Sequence, residues 1–289
     1  MANWQARRII SYAHQGGSFE APSSTLFAVR NALEVGATGI ELDIHATSDG
    51  CLVACHDPDV DRTTNGSGKI ASMSFDELSH LDNAYWFAPG TDVALDLPVQ
   101  SYPYRNMAEH DPAFRIARLE EIMELMQDFP GVVLNLDIKQ TRPDVVPYEN
   151  LLADLIRRYS FGERTIVASF FDSALRVFHQ YAPEIPTSAG PGFVAEFVRA
   201  IRAGTEPDLD DDLNRVSFQV PVEFQGITVV DANFVKMAHR YGLAVHVWTI
   251  NDTEEMERLV DLSVDGIITD RPSVLVSLLA EKGVAWRPG

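Results

Sequence analysis

The feature that most constrains the fold is an alternation of short apolar runs with longer segments of helical periodicity. Eight runs are rich in β-branched and other apolar residues and have the length of buried strands. Strands that alternate with helices form a parallel sheet covered by helices, and eight such units close a (β/α)8 TIM barrel. The predicted strands are residues 8–13, 39–44, 132–138, 165–169, 185–189, 216–220, 244–249 and 266–269.

Segments with helical patterns lie between most of these runs. Two of them begin with capping signals, the N-D-T triplet 251–253 and Asp270 ahead of Pro272. The predicted helices are residues 24–35, 119–129, 148–158, 173–181, 232–241, 254–262 and 272–282.

Two segments interrupt the alternation, and neither resembles a linker between domains. Residues 57–118 form a long insertion rich in turn residues, and residues 204–215 form an acidic loop, to which we assign no function because such loops are usually just solvated. The sequence therefore predicts a single barrel domain over residues 1–289, with 57–118 as an inserted segment.

Charge and hydropathy exclude several classes of partner. The formal net charge is −19, from 42 acidic and 23 basic residues, which disfavours nucleic acid and anionic membranes. Neither a signal-peptide core nor a run of about 18 apolar residues is present, so we expect a soluble cytoplasmic protein without stable membrane insertion. Cys51 and Cys55 are too far apart along a strand to bridge each other and should be free thiols. The oligomeric state is left undetermined.

The first predicted strand ends in a polar, glycine-containing stretch, I-I-S-Y-A-H-Q-G-G at residues 9–17. Glycines let the backbone turn sharply and approach a ligand closely, so His14 is well placed to face a cleft. A single histidine at a strand end is more often structural than catalytic. The functional hypothesis for His14 therefore depends on other parts of the chain.

The second predicted strand, G-I-E-L-D-I-H, places Glu41, Asp43 and His45 on one face. The following Asp49-Gly50 pair predicts a two-residue hairpin turn, in which the strand positions paired across the turn put Asp43 opposite His56. Directly opposite residues of an antiparallel pair have neighbouring side chains. The sequence thus predicts a second histidine beside a pair of carboxylates.

A third strand end, V-V-L-N-L-D-I-K, carries Asp137 and Lys139, and Trp248 lies near the end of a late strand. In a barrel these strand ends meet at one face. Three carboxylates, Glu41, Asp43 and Asp137, suit one divalent cation, Mg²⁺ or Ca²⁺, by ligand hardness. Each of these residues alone also fits a capping, surface or packing role, but their joint placement favours a site.

These residues lie within motifs through which the chain resembles the glycerophosphodiester phosphodiesterase family, in the barrel superfamily that also contains phosphatidylinositol-specific phospholipases C. The motifs follow one another over nearly the whole chain. They are H-Q-G-G at 14–17, P-S-S-T-L at 22–26, G-I-E-L-D-I-H-A-T-S-D-G at 39–50, H-D-P-D-V-D-R-T-T-N-G-S-G at 56–68, L-D-I-K at 136–139, V-W-T-I-N at 247–251 and D-G-I-I-T-D-R-P at 265–272.

The resemblance implies a metal-dependent cleavage of small-molecule glycerophosphodiesters to glycerol 3-phosphate and an alcohol. By position, His14 and His56 would be the general acid/base pair, and Glu41, Asp43 and Asp137 would be the metal ligands. One imidazole would accept a proton from the attacking oxygen while the other protonates the leaving oxygen.

The resemblance also assigns the substrate pocket. Lys139 would contact the phosphate, with Gln15 and Trp248 beside it, and residues 57–118 would be a cap segment that shapes the pocket. The chain departs from the family pattern in three places: Gln15 replaces the arginine of H-R-G, residues 23–25 read S-S-T instead of E-N-T, and Asp137 replaces a frequent glutamate. The aspartate resembles the arrangement in sphingomyelinase D-type phospholipases of the same superfamily.

Two alternatives remain open at this stage. One is a lysophospholipase D-like or sphingomyelinase D-like activity, in which Tyr85, Trp86 and Phe87 hold an acyl chain, although we expect these aromatic residues to pack the insertion onto the barrel. The other is a catalytically silent protein that binds phosphodiesters, prompted by the missing arginine. The presence of both histidines, the three carboxylates and Lys139 argues against this second alternative.

Overall fold

The computed structural model describes residues 4–5, 8–139, 148–207 and 213–286. Eight of its strands run parallel and close into a barrel, which confirms the predicted (β/α)8 fold. The strands in chain order are β1 Ile10–His14, β2 Gly39–Ala46, β3 Leu52–Ala54, β4 Val133–Ile138, β5 Thr165–Ala168, β6 Thr187–Ser188, β7 Arg215–Pro221, β8 Glu223–Phe224, β9 Ile227–Thr228, β10 Ala244–Trp248 and β11 Gly266–Thr269. The barrel order is β1-β11-β10-β7-β6-β5-β4-β2, and it closes because β1 also pairs with β2.

Each barrel strand is followed by a helix that covers the outside of the sheet, and α2 is an extra short helix within the insertion. The helices are α1 Leu26–Glu34, α2 Phe75–Ser79, α3 Leu119–Met126, α4 Tyr148–Arg158, α5 Asp172–Tyr181, α6 Pro191–Ala203, α7 Ala232–Arg240, α8 Thr253–Asp261 and α9 Pro272–Glu281.

Helix α6 is absent from the sequence-based prediction. Its first two residues, Pro191 and Gly192, read as a turn, but proline is tolerated in the first turn of a helix, where its missing N–H has no partner to lose. The predicted sixth strand, residues 185–189, is also shorter in the structure, because only Thr187 and Ser188 pair with their neighbours.

One predicted cap is confirmed and one is wrong. The carboxylate of Asp252 accepts the Glu255 N–H at 2.9 Å and caps α8 as expected. Asp270 does not cap α9, since Arg271 holds the N-cap position without a side-chain bond. The carboxylate of Asp270 is directed into the barrel mouth instead, as described below.

The hairpin register differs by one residue from the prediction. Ile44 pairs with Ala54, and the Cys55 N–H donates to the Asp43 carbonyl at 3.0 Å, so the predicted pairing of Asp43 with His56 is wrong. The turn contains three residues, 48–50, instead of two, because Gly50 adopts a left-handed conformation with φ +81°. His56 therefore follows the position opposite Asp43.

The inserted segment, residues 57–118, contains α2 and several short 3-10 turns, and its apolar side chains share a small core with Val53 of β3 and Cys55. Tyr85, Trp86 and Tyr102 surround the guanidinium of Arg105, whose central carbon lies 3.7 Å from the Tyr102 ring centroid. These aromatic rings pack on one another and on Arg105 within the insertion. Of the predicted acidic loop 204–215, residues 208–212 lie outside the described residues.

The barrel interior changes character from one end to the other. Side chains near the amino-terminal ends of the strands form an apolar cluster that includes Ile10, Val133, Ile166, Ala244 and Ile268. Toward the carboxyl-terminal ends the inward positions become polar, and Asn135 of β4 and Gln219 of β7 exchange two hydrogen bonds of 2.9 Å across the interior. The apolar end supports a polar face at the other end of the barrel.

Candidate active site

The candidate active site lies at the carboxyl-terminal face of the barrel, where the sequence analysis placed it. The strand register sets His14 beside Glu41 and Asp43 beside Asp137. Because neighbouring residues of a parallel pair face the same side, the four side chains come from three adjacent strands and point into the barrel mouth.

Three buried carboxylates and one lysine form the centre of the site. The Lys139 ammonium lies 3.0 Å from Asp43 Oδ1 and 3.0 Å from Asp137 Oδ2. Burial and repulsion by Asp43 raise the pKa of Glu41 to about 8, and burial also raises the pKa of Asp137. The pKa of Lys139 is raised although burial opposes it, because Asp43 and Asp137 stabilise its charge.

The donor chemistry of this cluster fits a hard divalent cation. Asp43 Oδ2 and Asp137 Oδ1 are buried and accept no hydrogen bond from the described residues, and such orphaned carboxylate oxygens suit an oxygen-binding ion. As the side chains stand, Lys139 neutralises both aspartates, and no three possible ligands among the described residues lie together closely enough to hold a metal. A cation at Glu41, Asp43 and Asp137 would thus require Lys139 to shift.

His14 is held by a carboxylate from the last barrel strand. Its Nδ1 donates to Asp270 Oδ1 at 2.6 Å, and Asp270 also accepts the Ser18 hydroxyl at 2.7 Å and the Asn251 amide at 2.6 Å. Burial opposes protonation of His14, but the bond to Asp270 and the charge of Glu41 outweigh it and raise the pKa of His14 to about 9. The ring is therefore fixed with Nε2 facing the site, 3.8 Å from Glu41 Oε2.

His56 has a carboxylate of its own, which comes from the next residue of the chain. Its Nδ1 donates to Asp57 Oδ1 at 2.6 Å, and the pKa of Asp57 is lowered to about 2 by this bond and by Arg62, against the effect of burial. His45 of β2 supports the segment by donating from Nε2 to the His56 carbonyl at 3.3 Å. The one-residue change in register leaves His56 directly after Cys55, the residue whose N–H donates to the Asp43 carbonyl.

Gln15 lies inside the site, but its contacts differ from those of a simple phosphate ligand. Its backbone N–H donates to Glu41 Oε2 at 3.2 Å, and its amide nitrogen lies 3.3 Å from His14 Nε2. The turn is crowded, because a Cβ on Gly16 would come 2.8 Å from the Ala28 Cβ and one on Gly17 would come 2.7 Å from Pro272. The two glycines therefore let the chain carry His14 and Gln15 tightly against α1 and α9.

Trp248 borders the site together with an aromatic residue that the sequence analysis missed. The Phe170 ring packs edge-on against Trp248 with centroids 5.6 Å apart, and Lys139 Nζ lies 5.1 Å from the Phe170 centroid. Phe170 directly follows β5 and Ser169 and is half-exposed. Its position just after a barrel strand could have indicated that Phe170 borders the site.

Asp270 and Asp57 also belong to the candidate site, although the sequence pattern did not predict them there. Asp270 directly follows β11 and Asp57 directly follows His56. The rule that polar residues at strand ends converge applies to Asp270 as it does to Asp137. Asp270 was interpreted as a helix cap instead, because an aspartate shortly before a proline is typical of a helix start.

The model of the glycerophosphoryl diester phosphodiesterase family matches residues 14–274. The chain is 32% identical over 273 residues to a glycerophosphodiester phosphodiesterase of Caldanaerobacter subterraneus, covering 94% of this chain and 98% of the relative. It is 27% identical over 275 residues to one from Bacillus subtilis, covering 92% and 85%.

Solved structures share the fold at lower identity. The glycerophosphoryl diester phosphodiesterase domain of a Mycobacterium tuberculosis protein superposes with a TM-score of 0.75 at 18% identity, over 94% of this chain and 98% of that one. An Oleispira antarctica phosphodiesterase, in complex with the product sn-glycerol-3-phosphate, has a TM-score of 0.67 at 22% identity and covers 93% and 96%. None of the helices in the described residues is long and apolar enough to cross a membrane.

Proposed function

The chain belongs to the glycerophosphoryl diester phosphodiesterase family, and we propose that it hydrolyses glycerophosphodiesters to glycerol 3-phosphate and an alcohol. The observation that carries the mechanism is the matched pair of histidines. His14 and His56 each donate Nδ1 to a carboxylate at 2.6 Å, so each ring leaves Nε2 for proton transfer, and His14 Nε2 lies 3.8 Å from Glu41 of the carboxylate and lysine cluster.

The proposed reaction is an in-line displacement at phosphorus by water. One histidine takes a proton from the attacking water as the new P–O bond forms, and the other gives a proton to the leaving alcohol oxygen as its P–O bond breaks. The hydrogen bond to the ionised Asp270 favours the protonated form of His14, so His14 is the better candidate for the protonated partner and His56 for the base.

Lys139 supplies positive charge for the phosphoryl oxygens, with Gln15 and Trp248 lining the same mouth. When a divalent cation is bound by Glu41, Asp43 and Asp137, it supplies further neutralisation of phosphoryl charge. Lys139 and a cation both interact with Asp43 and Asp137, so cation binding and release of Lys139 toward the phosphate are linked in this proposal.

Turnover of a panel of water-soluble glycerophosphodiesters, in EDTA and after addition of Mg²⁺ or Ca²⁺, tests the function and the metal together. We expect loss of activity in EDTA and recovery with one of the two cations. Calorimetric titration with the metal alone should show weaker binding for Asp43→Asn and Glu41→Gln, with exposed Asp128→Asn as the control. Full activity after chelation would rule out the cation, and no turnover of any member of the panel would rule out the activity.

A second candidate function, hydrolysis of lysophospholipids or sphingomyelin, is favoured by a specific observation. The exposed large apolar side chains of the described residues lie mostly on loops at the carboxyl-terminal face. They are Leu95, Leu97 and Val99 in the insertion, Phe170 and Phe171 after β5, and Phe224 and Ile227 in the β8–β9 hairpin. Such a rim could accept an acyl chain.

Phosphorus NMR of products from water-soluble and acylated substrates separates the two activities. A lysophospholipase would lose turnover of the acylated substrate alone in Phe171→Ser. Tyr181→Ser is the matched control, since Tyr181 is also exposed but lies at the far end of α5. We further propose a cytoplasmic location, which the free thiols of Cys51 and Cys55 support.

A further inference from the structure

A chain of ion pairs joins His56 to the inserted segment. Asp57 accepts from His56 through Oδ1 and from Arg62 Nε through Oδ2, each at 2.6 Å. The second arm of the Arg62 guanidinium donates from Nη1 to Asp92 Oδ2. Arg62 is thus clamped between two carboxylates, one beside the site histidine and one 30 residues further along the insertion.

Asp92 is itself anchored by a turn that contacts the His14 side of the site. Residues 88–91 form a turn in which the Thr91 N–H donates to the Ala88 carbonyl at 3.1 Å, and the Gly90 N–H donates to the Phe19 carbonyl at 2.8 Å. The Phe19 N–H in turn donates to the Asp270 carbonyl at 3.1 Å. The turn before Asp92 therefore has a fixed position relative to Asp270, which holds His14.

The geometry of Arg62 explains why the second carboxylate matters. A guanidinium presents its donors in a rigid fork, so a carboxylate on each arm fixes the plane of the group as well as its position. With Asp57 alone, Arg62 could rotate about a single bond and draw Asp57 with it. All three side chains are between 24% and 31% exposed, so solvent competes for each bond unless the others hold the geometry.

We propose that Asp92 is a positioning residue, which fixes the His56 ring through Arg62 and Asp57 and so makes the inserted segment part of the acid/base machinery. The proposal rests on the proposed role of His56. The ionised Asp57 can only accept, so the contact requires the proton on Nδ1 of His56 and leaves Nε2 as the nitrogen that can take up a proton. Loss of Asp92 should loosen this tautomer and ring orientation without removing any group that touches substrate.

The kinetic test compares Asp92→Asn with Asp96→Asn, which makes the same charge change four residues away at an exposed position of the same segment. We expect Asp92→Asn to lower kcat about tenfold with KM changed less than twofold, since misplacement of a catalytic group costs rate more than binding. Asp92→Glu should restore most of the loss. Activity of Asp92→Asn within twofold of the control would overturn the proposal.

A double-mutant cycle shows whether Asp92 acts through Asp57. If it does, Asp57→Asn combined with Asp92→Asn should be no slower than Asp57→Asn alone. Losses that multiply would contradict the proposal, because they would mean that Asp92 acts on its own.

Proton and nitrogen NMR of the histidine rings gives a readout that needs no turnover. The His56 Nδ1–H signal, assigned by its absence in His56→Ala, should broaden or disappear in Asp92→Asn and persist in Asp96→Asn. If Asp92→Asn does not fold, Arg62→Lys serves as the second variant, because a lysine cannot bridge both carboxylates. An unchanged His56 Nδ1–H signal in Arg62→Lys would overturn the proposal. A parent protein that cleaves no glycerophosphodiester would contradict the proposed function but leave this signal test valid.

Discussion

The two halves of the histidine pair are held by different parts of the molecule. His14 ends β1, and its partner Asp270 directly follows β11, so the two residues lie at the ends of two paired barrel strands. His56 follows the short strand β3, and its partner Asp57 is secured by Arg62 and Asp92 within the inserted segment. One half depends on the barrel and the other on a long loop.

The two halves also differ in burial. The Asp270 side chain is 9% exposed and accepts from three side chains, whereas that of Asp57 is 24% exposed. The rings follow the same trend, with His14 21% and His56 40% exposed. Strand pairing restricts the conformations that His14 and Asp270 can adopt. His56 and Asp57 lie in a loop segment, where the backbone is less restricted. The barrel therefore holds His14 more tightly than the inserted segment holds His56.

The largest expected effect tests whether both halves are needed. His14→Ala and His56→Ala should each lose about 10² to 10⁴-fold in kcat, because each removes a proton-transfer group. The double variant should be little slower than the slower single variant, since groups that act as a unit are not additive. Steady-state kinetics with the exposed His110→Ala as control measures this, and losses that multiply would show two independent roles.

Replacing the carboxylate partner of each histidine should lower kcat less than replacing the histidine, and should distinguish the two partners. Asp270→Asn is expected to lower kcat about 100-fold and Asp57→Asn about 30-fold, because the buried carboxylate has no solvent to replace it. Thermal denaturation of both variants checks folding. A greater loss in Asp57→Asn than in Asp270→Asn would reverse the comparison and make the insertion the more important support.

The pH dependence of the unfolding free energy should report on the barrel half of the histidine pair, His14 with Asp270. The folded pKa of His14, about 9, lies above its ordinary value of 6.5, so its stabilisation is complete below pH 6.5 and is lost as pH rises through 9. In EDTA we expect a loss of about 3 kcal/mol in unfolding free energy over this range. Denaturant titrations should show a shallower dependence for Asp270→Asn than for Asp57→Asn. Equal dependences in the two variants would be inconsistent with a buried His14–Asp270 pair.

The smallest effect concerns Gln15, which is on the barrel side. An arginine there would donate charge-assisted bonds where the amide donates neutral ones, a difference of about 1 kcal/mol. Gln15→Arg should therefore raise kcat/KM about three- to tenfold on a simple glycerophosphodiester, compared with exposed Gln100→Arg. The gain is limited because Lys139 already supplies charge. A folded, metal-binding variant that is slower than the parent would favour the acylated substrates.

Sequence reasoning located most of the site because it relied on short-range periodicity. The alternation of side chains along β2 put Glu41 and Asp43 on one face, and the strand-end rule brought Asp137, Lys139 and His14 to them. It failed where one residue of loop geometry mattered, as in the three-residue turn that shifted His56 by one position. It also misread Asp270, because a cap and a histidine partner require the same residue type.

The sequence by itself determined the barrel, the end of it that carries chemistry, and the residue types available there, since these follow from local periodicity and from the common direction of parallel strands. Only the tertiary structure decided which carboxylate holds which histidine, that Lys139 joins Asp43 to Asp137, and that Asp92 reaches His56 through Arg62. The physical reason is range: pairing between groups 30 or 256 residues apart depends on where loops return in space, and no local pattern encodes that return.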